Sequence, residues 1–412
     1  MRGRLSRRGM VRDRPTLLFI SPRFLLPMDA GGKIRTANLL KRLKGGAFKT
    51  RLLMPATAEE RVEWGAEVPS LADEVDFFAP SPRNAIWKMR RAFGFMTGTP
   101  ISAFADADAR FKRAVKGSLR SAPDLVVFDY VQSLAAAPAK IDGRRLFLAH
   151  NVEAEILERH AKTASGLMKF VWSREAAKMR AFEVGACART DGVIAVSERD
   201  AEIFRREFGA HAALAIPTGV DPDFFAFAPP ASDAAPVLVF IGSMDWKANQ
   251  DGLFWMMDEV WPLIAAKRAD ASLAVIGKNP PASMLARAKN LNWRFTGFVD
   301  DVREHAKGAA FVIPLRVGGG TRIKAYEAMA MGLPVVSTTL GVEGLPVADE
   351  EHLLIADGAP AFAEAALRLL DDAALRVRLA KSARSFVEKN FTHDAAARAF
   401  ERHCLEVLDR AR

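Results

Sequence analysis

The sequence predicts an α/β protein with two parallel sheets, each covered by helices on both faces. Apolar runs of strand length alternate along the 412-residue chain with longer segments of helical pattern, and this alternation is typical of parallel sheets. The runs fall into two sets, and a Pro- and Ala-rich stretch at residues 228–236 separates them. We therefore expect two Rossmann-like domains with parallel sheets facing a central cleft.

The predicted strands are buried apolar runs. The first set begins at Thr16, Arg51, Asp124, Arg145 and Asp191 and reads TLLFIS, RLLMP, DLVVFD, RLFLAH and DGVIAVS. The second set reads PVLVFIGS, SLAVIGK, WRFTGF, AAFVIPL, LPVVST and HLLIADG. Gly31 and Gly32 follow the first strand and precede a helical segment, an arrangement that places a ligand at the carboxyl ends of strands. The spacing is not GxGxxG, so a dinucleotide site is disfavoured.

Composition favours a soluble globular protein in the cytoplasm. Half of the residues are apolar and 26% are charged, as in ordinary globular domains. No apolar stretch is long enough to span a bilayer, and the N-terminus lacks the apolar core of a secretory signal. Cys187 and Cys404 do not have the spacing of a zinc site or a disulfide framework.

Positive charge is concentrated near the N-terminus. The net charge is +10, and residues 1–50 hold thirteen Lys or Arg against two Asp. We expect no nucleic-acid partner, because the chain has only two tyrosines and its motifs suit small phosphates. An anionic membrane surface on the inner face of the plasma membrane is the favoured partner. A solvated tail, or a start codon assigned too far upstream, is the alternative for residues 1–14.

The most informative stretch is PLRVGGGTRIKAYEAMAMGLP at residues 314–334. It contains Gly318, Gly319, Gly320, Thr321, Arg322, Lys324 and Glu327. Glycines expose backbone N–H groups, and the start of the following helix adds partial positive charge. With the two cations, this arrangement suits a diphosphate, and the Glu327 carboxylate is placed to accept hydrogen bonds from a ribose. The alternative is a glycine-rich turn before a structural helix.

The segment YEAMAMGLPVVST from Tyr326 resembles the signature of retaining GT-B glycosyltransferases, a family that includes sucrose synthases and bacterial mannosyltransferases. Further matching pieces occur in the family's order: AHNVEAE, IPTGVD, FIGSMDWKANQDGL and FTGFVDDV. The likeness spans residues 15–400. The GGGTRIK loop and GVEGL at Gly341 resemble sugar transferases of bacterial exopolysaccharide clusters, of the exosortase-associated type.

The resemblance implies a division of the chain. Residues 1–14 form a basic tail, 15–227 an acceptor-side domain, and 228–236 the linker. Residues 237–392 form the nucleotide-sugar-binding domain, and 393–412 form a helix that returns to the first domain. The implied donor-binding residues are Gly31, Gly32, Gly242, Lys247, Val299, Gly318, Gly319, Gly320, Thr321, Arg322, Lys324 and Glu327.

The implied catalytic residues are His150 and Glu327. His150 ends a predicted strand and matches the family's histidine beside the transferred sugar, and a capping role is the alternative. Lys247 matches a phosphate-binding cation, and an ordinary exposed lysine is its alternative. The family often has a first glutamate eight positions before Glu327, where this chain has Gly319. The donor-sugar contact must then come from loop amides or another side chain.

The sequence predicts a retaining transfer of a sugar from a nucleotide-diphosphate donor to a saccharide or lipid-linked saccharide. We expect no metal and no cofactor besides the nucleotide sugar, because DAD at Asp106, a DxD sequence, lies in a helical, Ala-rich stretch. A sugar-nucleotide epimerase of the same plan and a catalytically degenerate binding module are the alternatives.

Two segments combine aromatic and basic residues. The composition of NAIWKMRRAFGFMTGTP, from Asn84, suits a helix lying on a membrane, but an ordinary helix with its apolar face in the core is the favoured interpretation. For LMKFVWSREAAKMR, from Leu167 to Arg180, the core interpretation is favoured.

Overall fold

The structure, a computed structural model, describes residues 14–230, 236–317 and 322–410. Most of the predicted basic tail, five residues of the predicted linker, and Gly318 to Thr321 of the glycine loop lie outside these residues.

The first sheet is parallel and holds seven strands of the described residues, in the order β3-β2-β1-β4-β5-β6-β7. Most residues of its inner strands are apolar and buried, as expected for strands covered on both faces. The strands are β1 (Thr16–Ile20), β2 (Lys49–Pro55), β3 (Glu74–Phe78), β4 (Leu125–Asp129), β5 (Arg144–Leu148), β6 (Gly192–Ala195) and β7 (Ala213–Ala215).

The second sheet is also parallel and holds six strands of the described part of the chain, in the order β10-β9-β8-β11-β12-β13. Its strands are β8 (Val237–Ile241), β9 (Ser272–Ile276), β10 (Trp293–Gly297), β11 (Ala310–Ile313), β12 (Val335–Ser337) and β13 (Leu354–Ile355).

Helices cover both faces of each sheet. Those following the first strands are α1 (Gly31–Leu43), α2 (Ala58–Glu63), α3 (Ala85–Met96), α4 (Ile101–Asp106), α5 (Ala109–Leu119), α6 (Val131–Leu134), α7 (Glu153–Thr163), α8 (Gly166–Ala188) and α9 (Glu198–Arg206). The rest are α10 (Lys247–Trp255), α11 (Trp261–Lys267), α12 (Ala282–Ala288), α13 (Val302–Ala306), α14 (Ile323–Met331), α15 (Ala359–Asp371), α16 (Ala373–Asn390) and α17 (His393–Asp409).

The chain crosses between the two domains at two places that lie side by side. Val220 pairs with Thr392 in a parallel bridge, and the Val220 amide donates to the Phe391 carbonyl over 2.8 Å. The backbones approach so closely that a Cβ on Gly219 would lie 2.3 Å from the His393 nitrogen. From this crossing α17 runs back over the first sheet, where Phe400 stacks on Phe19 with ring centroids 5.6 Å apart.

The fold class predicted from the sequence is confirmed, and each predicted apolar run contains a strand. The sequence did not predict β3 and β7. β3 carries two carboxylates in its five residues, EVDFF, and β7 has only three residues. In the part of the chain that the structure describes, no helix is long and apolar enough to cross a bilayer.

Candidate functional site

The cleft between the two domains contains a cavity lined by side chains of both domains. Side chains from α7 and the start of α9 line one wall, and Arg322, Tyr326 and Glu343 line the other. The loops after the strands of both sheets converge here, where open parallel sheets bind their ligands.

Asp129, at the end of β4, is the centre of a buried polar cluster on the first-domain side. Its carboxyl oxygens accept hydrogen bonds from Ser21 Oγ at 2.8 Å and Thr36 Oγ1 at 2.9 Å. A third hydrogen bond, of 2.7 Å, joins it to His150 Nε2. Asp129 is fully buried and His150 nearly so, so water cannot substitute for these partners.

The hydrogen bond to Asp129 determines which ring nitrogen of His150 carries the proton. An ionised carboxylate only accepts hydrogen bonds, so His150 Nε2 is the protonated nitrogen. Burial lowers the pKa of His150, and the neighbouring Asp129 offsets part of that shift. A neutral imidazole in this tautomer presents a lone pair at Nδ1, and that buried atom has no hydrogen-bond partner in the protein. The geometry suits an acceptor for a sugar hydroxyl.

Tyr130 connects this cluster with the start of α1. Its backbone adopts φ 60°, which is costly for a residue with a side chain. Its ring lies 4.1 Å from the His150 ring, centroid to centroid. A Cβ on Gly32 would lie 2.1 Å from the Tyr130 hydroxyl oxygen, so the glycine permits a contact that any other residue would block.

Arg35, in α1, forms hydrogen bonds with backbone carbonyls at the ends of β5, β6 and β7. It is 2% exposed and donates to the carbonyls of Ala149, Ala195 and Ile216 over 2.6–2.9 Å. Burial lowers the pKa of the guanidinium to about 10, with Asp129 opposing the shift. Arg35 therefore locks the loops that carry His150 into one arrangement.

Lys324 is the centre of the second-domain side. Its Nζ donates to Asn249 Oδ1 over 3.1 Å and lies 4.9 Å from the centre of the Phe240 ring. A Cβ on Gly242 would lie 2.7 Å from Asn249 Nδ2 and 3.1 Å from Lys324 Nζ. Gly242 is thus required for the Lys324 position.

Three ionisable groups at the start of α14 are pushed toward their neutral forms. Burial lowers the pKa of Arg322 to about 10 and that of Lys324 to about 8, and Arg322 adds to the second shift. Burial raises the pKa of Glu327 to about 7, and Lys324 opposes that shift. Desolvated cations beside a cleft favour an anionic ligand, because the negative charge of the ligand stabilises their charged forms.

Ion pairs join the two domains across the cavity. Glu343, in the loop after β12, accepts from Arg159 Nη2 at 3.0 and 2.9 Å. Arg199 Nε lies 3.6 Å from the same carboxylate, and Glu155 in turn binds Arg199 through two hydrogen bonds. The Glu343 carboxylate also opposes the lowering of the Arg322 pKa, so it lies within electrostatic reach of that cation.

The structure places the site residues predicted from the sequence in different parts of the two domains. Gly31 and Gly32 begin α1, His150 follows β5, and Gly242, Arg322, Lys324 and Glu327 surround the start of α14. Lys247 is exposed, at the start of α10, and its Nζ donates to Gln250 Oε1 over 3.2 Å. Val299 is half-buried against the second-domain core. Gly318, Gly319, Gly320 and Thr321 lie outside the described residues.

Sequence reasoning missed Asp129, Arg35, Asn249 and Glu343. Asp129 ends the predicted strand DLVVFD, so its position at a carboxyl strand end was a usable signal. Arg35 resembled an ordinary helix-surface arginine, and its burial follows only from the fold. In the described part of the chain, no group of three or more His, Cys, Asp or Glu is arranged to hold a metal ion.

Two family models match successive parts of the chain. The model described as Glycosyltransferase Family 4 matches residues 62–224, and that described as Glycosyl transferases group 1 matches residues 235–372. Together they cover most of the chain, including both walls of the cleft. The chain therefore belongs to the GT-B glycosyltransferases.

One curated protein is similar to part of the chain. A protein of the cps region of Klebsiella pneumoniae, named as uncharacterized, is 26% identical over 163 residues, which are 37% of this chain. The chain spans only 42% of that curated relative's length.

Solved structures share the fold at low identity. Sucrose-phosphate synthase from Thermosynechococcus elongatus has a TM-score of 0.73 at 18% identity, over 96% of this chain and 100% of the other. A glycosyltransferase from Rickettsia africae has a TM-score of 0.66 at 13% identity, over 96% and 99%. HepE from Anabaena has a TM-score of 0.64 at 13% identity, over 95% and 100%.

Proposed function

We propose that this protein is a retaining glycosyltransferase. It moves a sugar from a nucleotide-diphosphate donor to a saccharide or lipid-linked saccharide acceptor, in exopolysaccharide or cell-surface glycan biosynthesis in the cytoplasm. The observation that carries the proposal is the pair of desolvated cations, Arg322 and Lys324, at the cleft end of α14. A diphosphate is the ligand whose charge and size match two such cations beside a helix start.

Each described group then has a role in the transfer. The C1–O bond to the β-phosphate breaks, and the two cations stabilise the charge that develops on the leaving diphosphate. The acceptor hydroxyl forms the new bond to C1 on the same face, and its proton passes to the leaving phosphate oxygen. Metal independence follows, since Arg322 and Lys324 take the place of a metal ion in neutralising that charge.

His150 and Glu327 hold the two ends of the donor. His150 Nδ1 accepts a hydrogen bond from a hydroxyl of the transferred sugar, which offsets the missing family glutamate at Gly319. The Glu327 carboxylate accepts from the ribose hydroxyls. The enzyme then acts mainly by positioning and by electrostatic stabilisation.

The comparisons support the ligand class. HepE has been solved in complex with UDP and glucose, and TarM in complex with UDP and alpha-GlcNAc-glycerol. The cps region of the Klebsiella relative supports a role in polysaccharide synthesis.

The test is a donor panel with and without acceptor. UDP-, GDP- and ADP-sugars are incubated with the full chain and with short glycans or lipid-linked saccharides. Release of nucleotide diphosphate is measured, and the anomeric configuration of the product is read by NMR. We expect acceptor-dependent release, a retained configuration, and no effect of EDTA. A donor altered without acceptor would identify an epimerase, and donor binding without any turnover would identify a binding module.

A further inference from the structure

Helix α3 presents its apolar side chains to solvent. The outward stripe consists of Ile86, Met89, Phe93 and Met96, which are between 63% and 75% exposed. The opposite side faces the protein: the Arg90 guanidinium lies 5.4 Å from the centre of the Phe104 ring, and a Cβ on Gly94 would lie 3.1 Å from that ring. This is the reverse of an ordinary surface helix, so the favoured interpretation of an apolar face packed in the core was wrong for α3.

The first turn of α8 has the same character. Leu167, Met168 and Phe170 are between 49% and 77% exposed, so the favoured core interpretation was wrong for this turn. It holds farther along α8, where Ala176 and Met179 are buried.

Polar contacts fix α3 and α8 next to each other. Lys178 Nζ donates to the carbonyls of Gly94 at 3.0 Å and Phe95 at 2.8 Å. Arg174 Nε donates to the Phe95 carbonyl over 3.3 Å. Residues 96–98 after this junction share a groove with Phe170. The outward stripe and the first turn of α8 therefore form one surface, the α3–α8 surface.

The charges within the segments that form the α3–α8 surface are all of one sign. Residues 81–105 and 164–174 contain no Asp or Glu, whereas Arg83, Lys88, Arg91 and Lys169 are exposed. The Arg91 guanidinium lies 4.9 Å from the centre of the Trp87 ring, which keeps an indole beside the stripe. Indoles, cations and exposed aliphatic side chains together are characteristic of a helix lying in a membrane interface.

We propose that the α3–α8 surface docks the protein on an anionic lipid bilayer, with the apolar side chains inserted between headgroups and the surrounding cations on the lipid charges. Seven exposed large apolar side chains in one place exceed the scattered exposure of an ordinary surface. The exclusively basic surroundings select an anionic surface over a neutral one. This proposal does not depend on the proposed sugar transfer, and its test needs no turnover.

The test is flotation of the full chain with phosphatidylglycerol-containing vesicles and with pure phosphatidylcholine vesicles. We expect binding to the anionic vesicles that weakens as salt rises, because exposed charges are screened over about 8 Å at physiological ionic strength. Met89→Gln combined with Phe93→Gln, and separately Leu167→Gln with Phe170→Gln, should each lower vesicle binding at least about tenfold, since each pair removes two inserted apolar groups. Lys88→Gln with Arg91→Gln should lower binding only to anionic vesicles.

Matched controls lie in the second domain. Phe298→Gln removes an aromatic side chain that is 74% exposed, and Lys381→Gln with Lys389→Gln removes two exposed lysines of α16. Both should float as the parent does. Because the altered side chains are exposed, melting temperatures should remain within a few degrees of the parent, and a collapsed variant would be replaced by Met89→Ser alone.

Three results would overturn the proposal. The first is a full chain that stays off anionic vesicles at low salt. The second is equal flotation of the parent and the α3 and α8 variants, which would assign binding to another segment. The third is a parent dimer in light scattering that the Met89/Phe93 variant converts to monomer without any change in flotation, which would make the surface a contact between copies.

Discussion

The two walls of the cleft differ in how their buried charged groups are stabilised. On the first-domain wall, Asp129 is matched by hydrogen bonds from Ser21, Thr36 and His150. On the second-domain wall, burial lowers the pKa of Arg322 and Lys324 and raises that of Glu327. The Asp129 carboxylate has its hydrogen bonds without a ligand, and His150 Nδ1 keeps an open acceptor position. The second wall keeps desolvated charges that a diphosphate would neutralise.

This difference suggests that the first wall positions His150 and that the second wall binds the nucleotide diphosphate. A satisfied buried network holds His150 in one tautomer and orientation and does not depend on the ligand. A desolvated pair of cations carries an electrostatic cost in the free protein, and the incoming anion removes that cost. We therefore expect changes on the second wall to alter nucleotide affinity, and changes on the first wall to alter turnover and stability.

The largest effect is expected for Arg322→Ala. Loss of one charge-assisted contact of about 1.5–3 kcal/mol should weaken nucleotide-diphosphate binding roughly 10- to 150-fold. Isothermal titration measures it. Arg316→Ala is the matched control, since Arg316 is half-exposed and pairs with Asp251 outside the cavity. Equal affinities for parent and Arg322→Ala would place the diphosphate elsewhere.

Asp129→Asn tests the first-domain wall, where we expect an effect on turnover and stability. It removes the negative charge beside His150 and replaces one carboxyl oxygen by an NH2 group. An NH2 group that faces Nε2 makes this nitrogen an acceptor, so the proton moves to Nδ1 and the lone pair there is lost. Turnover should fall while nucleotide-diphosphate affinity is unchanged, and the free energy of unfolding should drop by about 2 kcal/mol. Ser21→Ala removes only one of the three hydrogen bonds and should cost about 1 kcal/mol with turnover retained. If turnover fell in the same proportion in both variants, the cluster would have only a structural role.

The pKa of Lys324, lowered to about 8, predicts a pH dependence of binding. Above that pKa the free protein loses the Lys324 charge, so binding of a diphosphate must take up a proton. Affinity should fall up to about tenfold from pH 8 to pH 9. Neither the phosphate, with its last ionisation near 6, nor Glu327, with a pKa of about 7, changes much in this range. In Lys324→Arg the affinity should be nearly flat, and a parent curve equally flat would remove Lys324 from the site.

The smallest effect is expected for Glu343→Gln, which weakens the bridge between the walls. The lost ion pair with Arg159 is partly exposed and contributes about 1 kcal/mol or less. Removing a carboxylate near Arg322 should raise nucleotide-diphosphate affinity by roughly twofold to fivefold. Glu350→Gln is the control, since Glu350 pairs with Arg368 inside the second domain. A weaker affinity in Glu343→Gln would mean that the bridge holds the site open for its ligand.

The sequence by itself determined the architecture of this protein and singled out α14 as the helix to which we assign the nucleotide. Buried parallel strands are continuous apolar runs, and a glycine loop before a cationic helix start is a local arrangement, so both are visible in a single chain segment. β3 was not predicted, because the carboxylates of Glu74 and Asp76 interrupt its apolar run. An edge strand tolerates such charged residues.

Only the tertiary structure decided which polar and charged side chains come into contact. Thr36 and His150 are far from Asp129 in the chain, and Glu343 is separated from Arg159 by 184 residues, so no local pattern predicts either contact. The same holds for α3, whose apolar and basic composition was compatible with a buried face or an exposed one. Packing of Arg90 and Gly94 against Phe104 turned the apolar stripe outward, because a helix presents only one side to the domain beneath it.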